Sequence, residues 1–239
     1  PARLTPKLPS ERWARAVGVL VRIMDHDPRV EACKAEDSLH MRLAVGAALA
    51  FSSPVALLDD DNAIVDPVER YENYLKWHEA GLLFPSFEKL NAWQMRYLFI
   101  CKQADYELEW AQEHCSEMKR IRDEVGDASS ASVPNEMVQY KGENNGVSID
   151  DEVGYYGHDG HITLEDYHTC GGVCGAICFF ATAMCQAFGL PAMIVGQPGH
   201  CAMIYQKRIG HWCLGNDISG WTKSNDLEGG VIWDIPIME

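Results

Sequence analysis

Residues 170–217 read CGGVCGAICFFATAMCQAFGLPAMIVGQPGHCAMIYQKRIGHWCLGND, and the punctuation of this stretch decides the fold. Between Gly171-Gly172 and Gly189 lies an apolar run, 174–188, too long for a strand and bounded as helices are. Residues 191–195 then read as a strand, 200–205 as a second and 212–214 as a third. The turn Gln197-Pro198-Gly199 is short enough to join the first two as a hairpin, and Val231, Ile232 and Trp233 suggest a further strand. The predicted unit is one helix packed on an antiparallel sheet, an α+β arrangement.

Three residues of this unit are of the types that nucleophilic acyl chemistry needs. Cys174 opens the helix, where unpaired amides and the positive helix end lower a thiol pKa. Gly171 and Gly172 carry no side chains and are expected to let a substrate backbone approach, with the Cys174 amide available to an oxyanion. His200 begins a strand and Asp217 follows the next one, so both are expected at the sheet edge that faces Cys174. A thiolate attacks an acyl carbon, an imidazole moves the proton, and a carboxylate fixes the imidazole tautomer. Gln197 and Trp221 are secondary candidates beside them, each equally well read as a turn residue and a core aromatic.

Outward from this unit the pattern changes. Residues 127–160 lose periodicity into Ser, Asn, Gly and Asp around Pro134, the signature of a linker or long surface loop. Residues 1–126 read as helical. Trp13, Val17, Leu20, Val21 and Met24 form one apolar stripe expected to face a core, and a second apolar run, 43–51, stops at Ser52-Ser53-Pro54. Asp66-Pro67-Val68-Glu69 combines an N-cap carboxylate, a proline at the first helical position and a glutamate placed for a capping box. One helix is expected after Ser86 through Leu90, Trp93 and Leu98. Another is expected after Asp105, with Leu108, Ala111, Cys115, Met118 and Val125 on one face before Gly126. The expected organisation is a helical region 1–126, a linker or loop 127–160 and a catalytic core 161–239.

Bulk properties narrow the partners. The 239 residues carry a formal charge of -15, so nucleic acid is not expected, and no apolar run reaches the length of a membrane span. The acidic stretch 143–166 reads as a solvated loop rather than a calcium site. Nine cysteines, an odd number set largely in apolar patterns, read as buried thiols in a reducing compartment rather than a disulfide framework. That favours the cytoplasm, while a chain starting at Pro1-Ala2 leaves a trimmed, secreted form open. Cys170, Cys174 and Cys178 lack the distant second pair of a structural zinc site, so no metal and no cofactor are expected. His114, His161 and His211 read as ordinary surface or core residues, whereas His168 is near enough in sequence to line the Cys174 cleft.

The run from Gly171 to Gln206, followed by HWCLGNDISGW, resembles the transglutaminase-like superfamily. That resemblance rests on Cys174 at a helix start, the turn Gly189-Leu190-Pro191-Ala192, His200 on the next strand, Trp212 and Asp217. It implies a papain-like core with an α-helical N-terminal extension, a Cys174-His200-Asp217 triad, and crosslinking, amidase or protease activity through a thioester. Calcium activation, as in animal crosslinking members, is open on the same basis. The family's aspartate usually follows proline or valine. Here it follows Asn216, which could orient the histidine instead, as asparagine does in papain-type sites. The expected substrate is a peptide, amide or small-molecule acyl compound. Two alternatives use the same fold, a small-molecule cyclase or amide synthase and a catalytically silent binding module.

Overall fold

The computed structural model describes residues 10–32, 38–57, 60–126, 133–197 and 199–216. Helices come first: α1 (Ser10–His26), α2 (Pro28–Ala32) and α3 (Leu39–Ala50), then a small hairpin of β1 (Ala56–Leu57) and β2 (Asp60–Ile64). They are followed by α4 (Pro67–Glu79), a 3-10 turn (Pro85–Lys89), α5 (Ala92–Phe99), α6 (Asp105–His114), α7 (Ser116–Glu124) and α8 (Val133–Glu136). A second hairpin, β3 (Glu143–Asn144) and β4 (Val147–Ser148), leads to α9 (Glu152–Tyr156), α10 (Leu164–Cys170) and α11 (Cys174–Ala187). The sheet of β5 (Ala192–Gln197), β6 (His200–Arg208) and β7 (His211–Gly215) is antiparallel in that order. The architecture is mixed α and β with small antiparallel sheets, as the α+β expectation requires. No helix among the described residues is long and apolar enough to cross a membrane.

Burial of α11 explains how the helical half and the sheet come to share one core. The helix is apolar on nearly every side, so it must be enclosed on nearly every side. β5 and β6 take one flank; α5, α6 and α8 take others. Its last carbonyls, which no helical amide can satisfy, receive side chains from the N-terminal half. Gln112 donates from Nε2 to Ala187 at 2.6 Å, and Tyr74 donates to Gln186 at 3.1 Å. One buried apolar cluster therefore runs from Val19 in α1 to Cys213 in β7. Gly46 lets α3 and α5 meet closely, since a Cβ there would sit 2.7 Å from that of Met95.

Several local expectations are met. Asp66 caps α4 by accepting from the amides of Val68 and Glu69, and α3 stops at the Phe51 cap. Gly126, with φ of 71°, ends the stretch after α7.

Others need correcting. α1 buries Ala16, Val19 and Ile23, while Trp13, Val17 and Val21 of the expected stripe are 50%, 56% and 49% exposed. Two overlapping stripes share Leu20 and Met24 at their boundary, and periodicity alone does not choose between them. The helix expected from Ser86 to Leu98 is a 3-10 turn followed by α5, separated by an Asn91-Gln94 capping box. The helix after Asp105 breaks at Cys115, whose backbone leaves the helical region and whose thiol turns to the Met137 sulfur at 3.3 Å. Val125, expected on its buried face, is exposed. Within 127–160, the described part holds α8, the β3–β4 hairpin and α9 rather than structureless chain. Tyr155 anchors this segment, donating to the carbonyls of Lys141 and Cys170 at 3.1 and 3.3 Å.

Candidate active site at the start of α11

The chain enters α11 through a tight passage. Gly171 has φ of 78°, a conformation that disfavours any side chain, and Val173 precedes the first turn without a side-chain cap. The first amides of α11 consequently face the Cys174 end, where a negative charge is favoured. Residues 139–141 run alongside: Gly172 donates to the Gln139 carbonyl and accepts from the Lys141 amide, both at 3.0 Å. A Cβ on Gly171 would lie 2.5 Å from the Gln139 oxygen, and one on Gly172 would lie 2.4 Å from that of Ala176. The space these glycines free is therefore filled by the protein's own backbone and side chains and not left for substrate, as the sequence had suggested. Open space lies instead at Gly175, where an added Cβ meets nothing within 4 Å.

The β5–β6 hairpin brings the histidine to this end. Gln197 pairs with His200, and Gly199 takes the positive φ, 69°, that a tight turn demands. His200 and Cys174 are both partly exposed. The His200 Nε2 lies 2.5 Å from the backbone oxygen of Asn216, the residue after β7. A carbonyl only accepts, so Nε2 carries the hydrogen and, in the neutral ring, Nδ1 keeps the lone pair.

Asn216 also reaches α11. Its Nδ2 donates toward the Cys201 carbonyl at 3.0 Å, the Cys178 sulfur at 3.2 Å and the Cys174 carbonyl at 3.4 Å. Cys178 in turn donates its thiol hydrogen to the Cys201 carbonyl at 3.1 Å. One residue thus touches both the histidine ring and the first residue of the helix. Between the Cys174 thiol and His200 the structure has no hydrogen bond.

The neighbouring thiols are held neutral. Burial pushes Cys178 up to about 12, against the lowering effect of the Asn216 amide, and burial also raises Cys201. Cys185, three turns down the same helix face, is fully buried and raised by burial. Cys178 and Cys185 are therefore core and framework thiols, whereas Cys174 is partly exposed.

Asp217, Trp221 and the strand expected at 231–233 lie outside the described residues. Gln197 is buried next to His200 in register. His168 stacks its ring on Phe180 of α11, and its Nδ1 faces the Met137 carbonyl at 3.1 Å. His161 pairs with buried Glu107 at 2.7 Å, and His114 stacks on Trp110. Among the described residues, no group of three His, Cys, Asp or Glu side chains is arranged to hold a metal. Sequence reasoning did not anticipate the 139–141 segment. Nor did it find Asn135, whose side chain closes on Gly215, its Nδ2 lying 2.8 Å from where a Cβ would be. No local pattern could have signalled either, because both contacts join residues distant in sequence.

Compared with known proteins, the chain matches no family model, no curated protein and no solved structure.

Proposed function

We propose that the chain is a thiol enzyme of the transglutaminase-like kind, a papain-like nucleophile helix on an antiparallel sheet, acting as an acyltransferase or amidase. The observation that carries this reading is the convergence on Asn216 of the His200 ring and the first residue of α11. Cys174 is partly exposed at a helix start, where thiolate is favoured, and the tautomer held by Asn216 leaves His200 Nδ1 to take the thiol proton.

In the proposed reaction the Cys174 sulfur adds to a carboxamide or activated acyl carbon, and helix-start amides receive the oxyanion. The carbon–nitrogen bond breaks, His200 returns the proton to the leaving amine, and a thioester remains on Cys174. Water or a second amine then attacks the thioester, and the choice of acceptor makes the protein a hydrolase or a transferase. The Asn216 carbonyl serves as the group that orients His200, and Asp217 is the neighbouring candidate for the same role.

Acyl trapping tests the reading. The protein is incubated with cell extract, quenched in acid and digested, and the Cys174 peptide is weighed, with Cys174→Ser as control. An adduct confined to Cys174 is expected; its mass separates a peptide substrate from a small metabolite. Failure to trap any acyl group, together with a Cys174 thiol no more reactive than a free cysteine, would leave the silent binding module as the better account.

A further inference from the structure

Away from Cys174, a cavity of about 160 Å³ lies between α11, β5 and the α5–α6 connection. Thr182, which lines it, is about 12 Å along the helix from Cys174 at 1.5 Å per residue, so the cavity is separate from the proposed active site. Its walls include Ile100, Phe179, Met193 and Ile194. Two of its polar groups lack partners. The Thr182 Oγ1 and the Gln103 Nε2 are buried with no hydrogen bond, in side chains of residues only 6% and 3% exposed. The Cys101 thiol donates to the Gln103 Oε1 at 3.5 Å, which fixes the amide and turns its Nε2 into the orphan donor. Burial holds that thiol up at about 11, so it adds no negative charge. Exposed Lys102 stands at the rim with no ion pair among the described residues.

An orphaned buried donor is costly, and such groups in native proteins have a partner to meet. Here the residues that carry an N–H donor, a hydroxyl and an ammonium line one largely apolar space. We infer that this cavity binds a short aliphatic carboxylate, its hydrocarbon chain among Ile100, Phe179, Met193 and Ile194 and its carboxylate toward Gln103, Thr182 and Lys102. The volume suits the chain length, since a space of this order admits a ligand of benzene size, and its open side admits the carboxylate end.

The test uses the whole protein with isoleucine δ1 methyls labelled for NMR, and butyrate as probe. Saturable shifts at Ile100 and Ile194 in the millimolar range are expected, with Ile121 in α7 unmoved. Butyramide should bind more weakly and butylamine not at all. Thr182→Val and Gln103→Leu should each weaken butyrate about tenfold, the loss expected for a hydrogen bond to a charged group. Lys102→Ala, at an exposed position, should weaken butyrate without changing butyramide. Absence of saturable shifts in the wild-type protein overturns the inference and assigns the cavity to water. Equal binding of butylamine, or butyrate binding unaltered by every folded variant, overturns it as well. Because no readout is catalytic, this outcome is independent of the role of Cys174.

Discussion

Among the described residues, the His200 imidazole is held by the backbone of Asn216, with Nε2 2.5 Å from the carbonyl oxygen. Asn216 adopts φ of 52°, a left-handed conformation that asparagine tolerates better than most residues. That turn aims the carbonyl at the ring while the side-chain amide reaches Cys174, Cys178 and Cys201. Two functions, holding the His200 ring and tying down the start of α11, thus rest on one residue.

Substitutions at Asn216 separate these functions. Asn216→Gly keeps the conformation and the carbonyl but loses the amide, and should cost about 1 kcal/mol. Asn216→Asp puts a carboxylate against two carbonyls and a sulfur, and should cost about 1–3 kcal/mol. Urea unfolding monitored by circular dichroism measures both. An aspartate variant as stable as the wild type would show that the amide contacts carry no weight.

The glycines around Cys174 should differ sharply. Gly171→Ala meets both the positive φ and the Gln139 oxygen, and Gly172→Ala meets Ala176, so each should lose about 2–4 kcal/mol. Gly175→Ala meets nothing and lies within α11, so it should be neutral or stabilising by up to about 1 kcal/mol. Thermal unfolding of the three variants checks the ranking. If substrate approaches at Gly175, the third variant combines a sound fold with slower acylation of Cys174.

Acid sensitivity should centre on Asp27. Burial opposes its charge, but hydrogen bonds from Arg29 and Tyr71 prevail and hold its carboxyl down at about 2. Its folded pKa lies below the unfolded value of about 3.9, so its stabilisation is full above that value and is lost as pH falls toward about 2. Asp27→Asn should therefore cost about 2 kcal/mol at neutral pH, with the gap to wild type closing between about pH 4 and pH 2. A gap that stays constant across that range would assign the effect to lost packing.

Much of this structure is legible in the chain because its signals are local. The Asp66 cap, the α11 boundaries and the turn joining β5 to β6 are each declared within a few residues. The Asn91-Gln94 box was equally local, but Leu90, Trp93 and Leu98 together read as one helix and masked it. Short elements of two to five residues between Val133 and Tyr156 have no period to read. At the site, the order of elements suffices to bring Cys174 and His200 to one end. Which backbone oxygen meets a ring, and whether a glycine frees space for substrate or for residues 139–141, are non-local questions.

Thiol reactivity against pH tests the central claim most directly. Wild-type protein and His200→Ala are alkylated with iodoacetamide from acid to alkaline pH, and labelling at Cys174 is followed by peptide mass. In the wild type, Cys174 should be labelled faster than a free cysteine across the range, and His200→Ala should slow that labelling. Labelling of Cys174 at the rate of a free cysteine, the same in both proteins, would contradict the account.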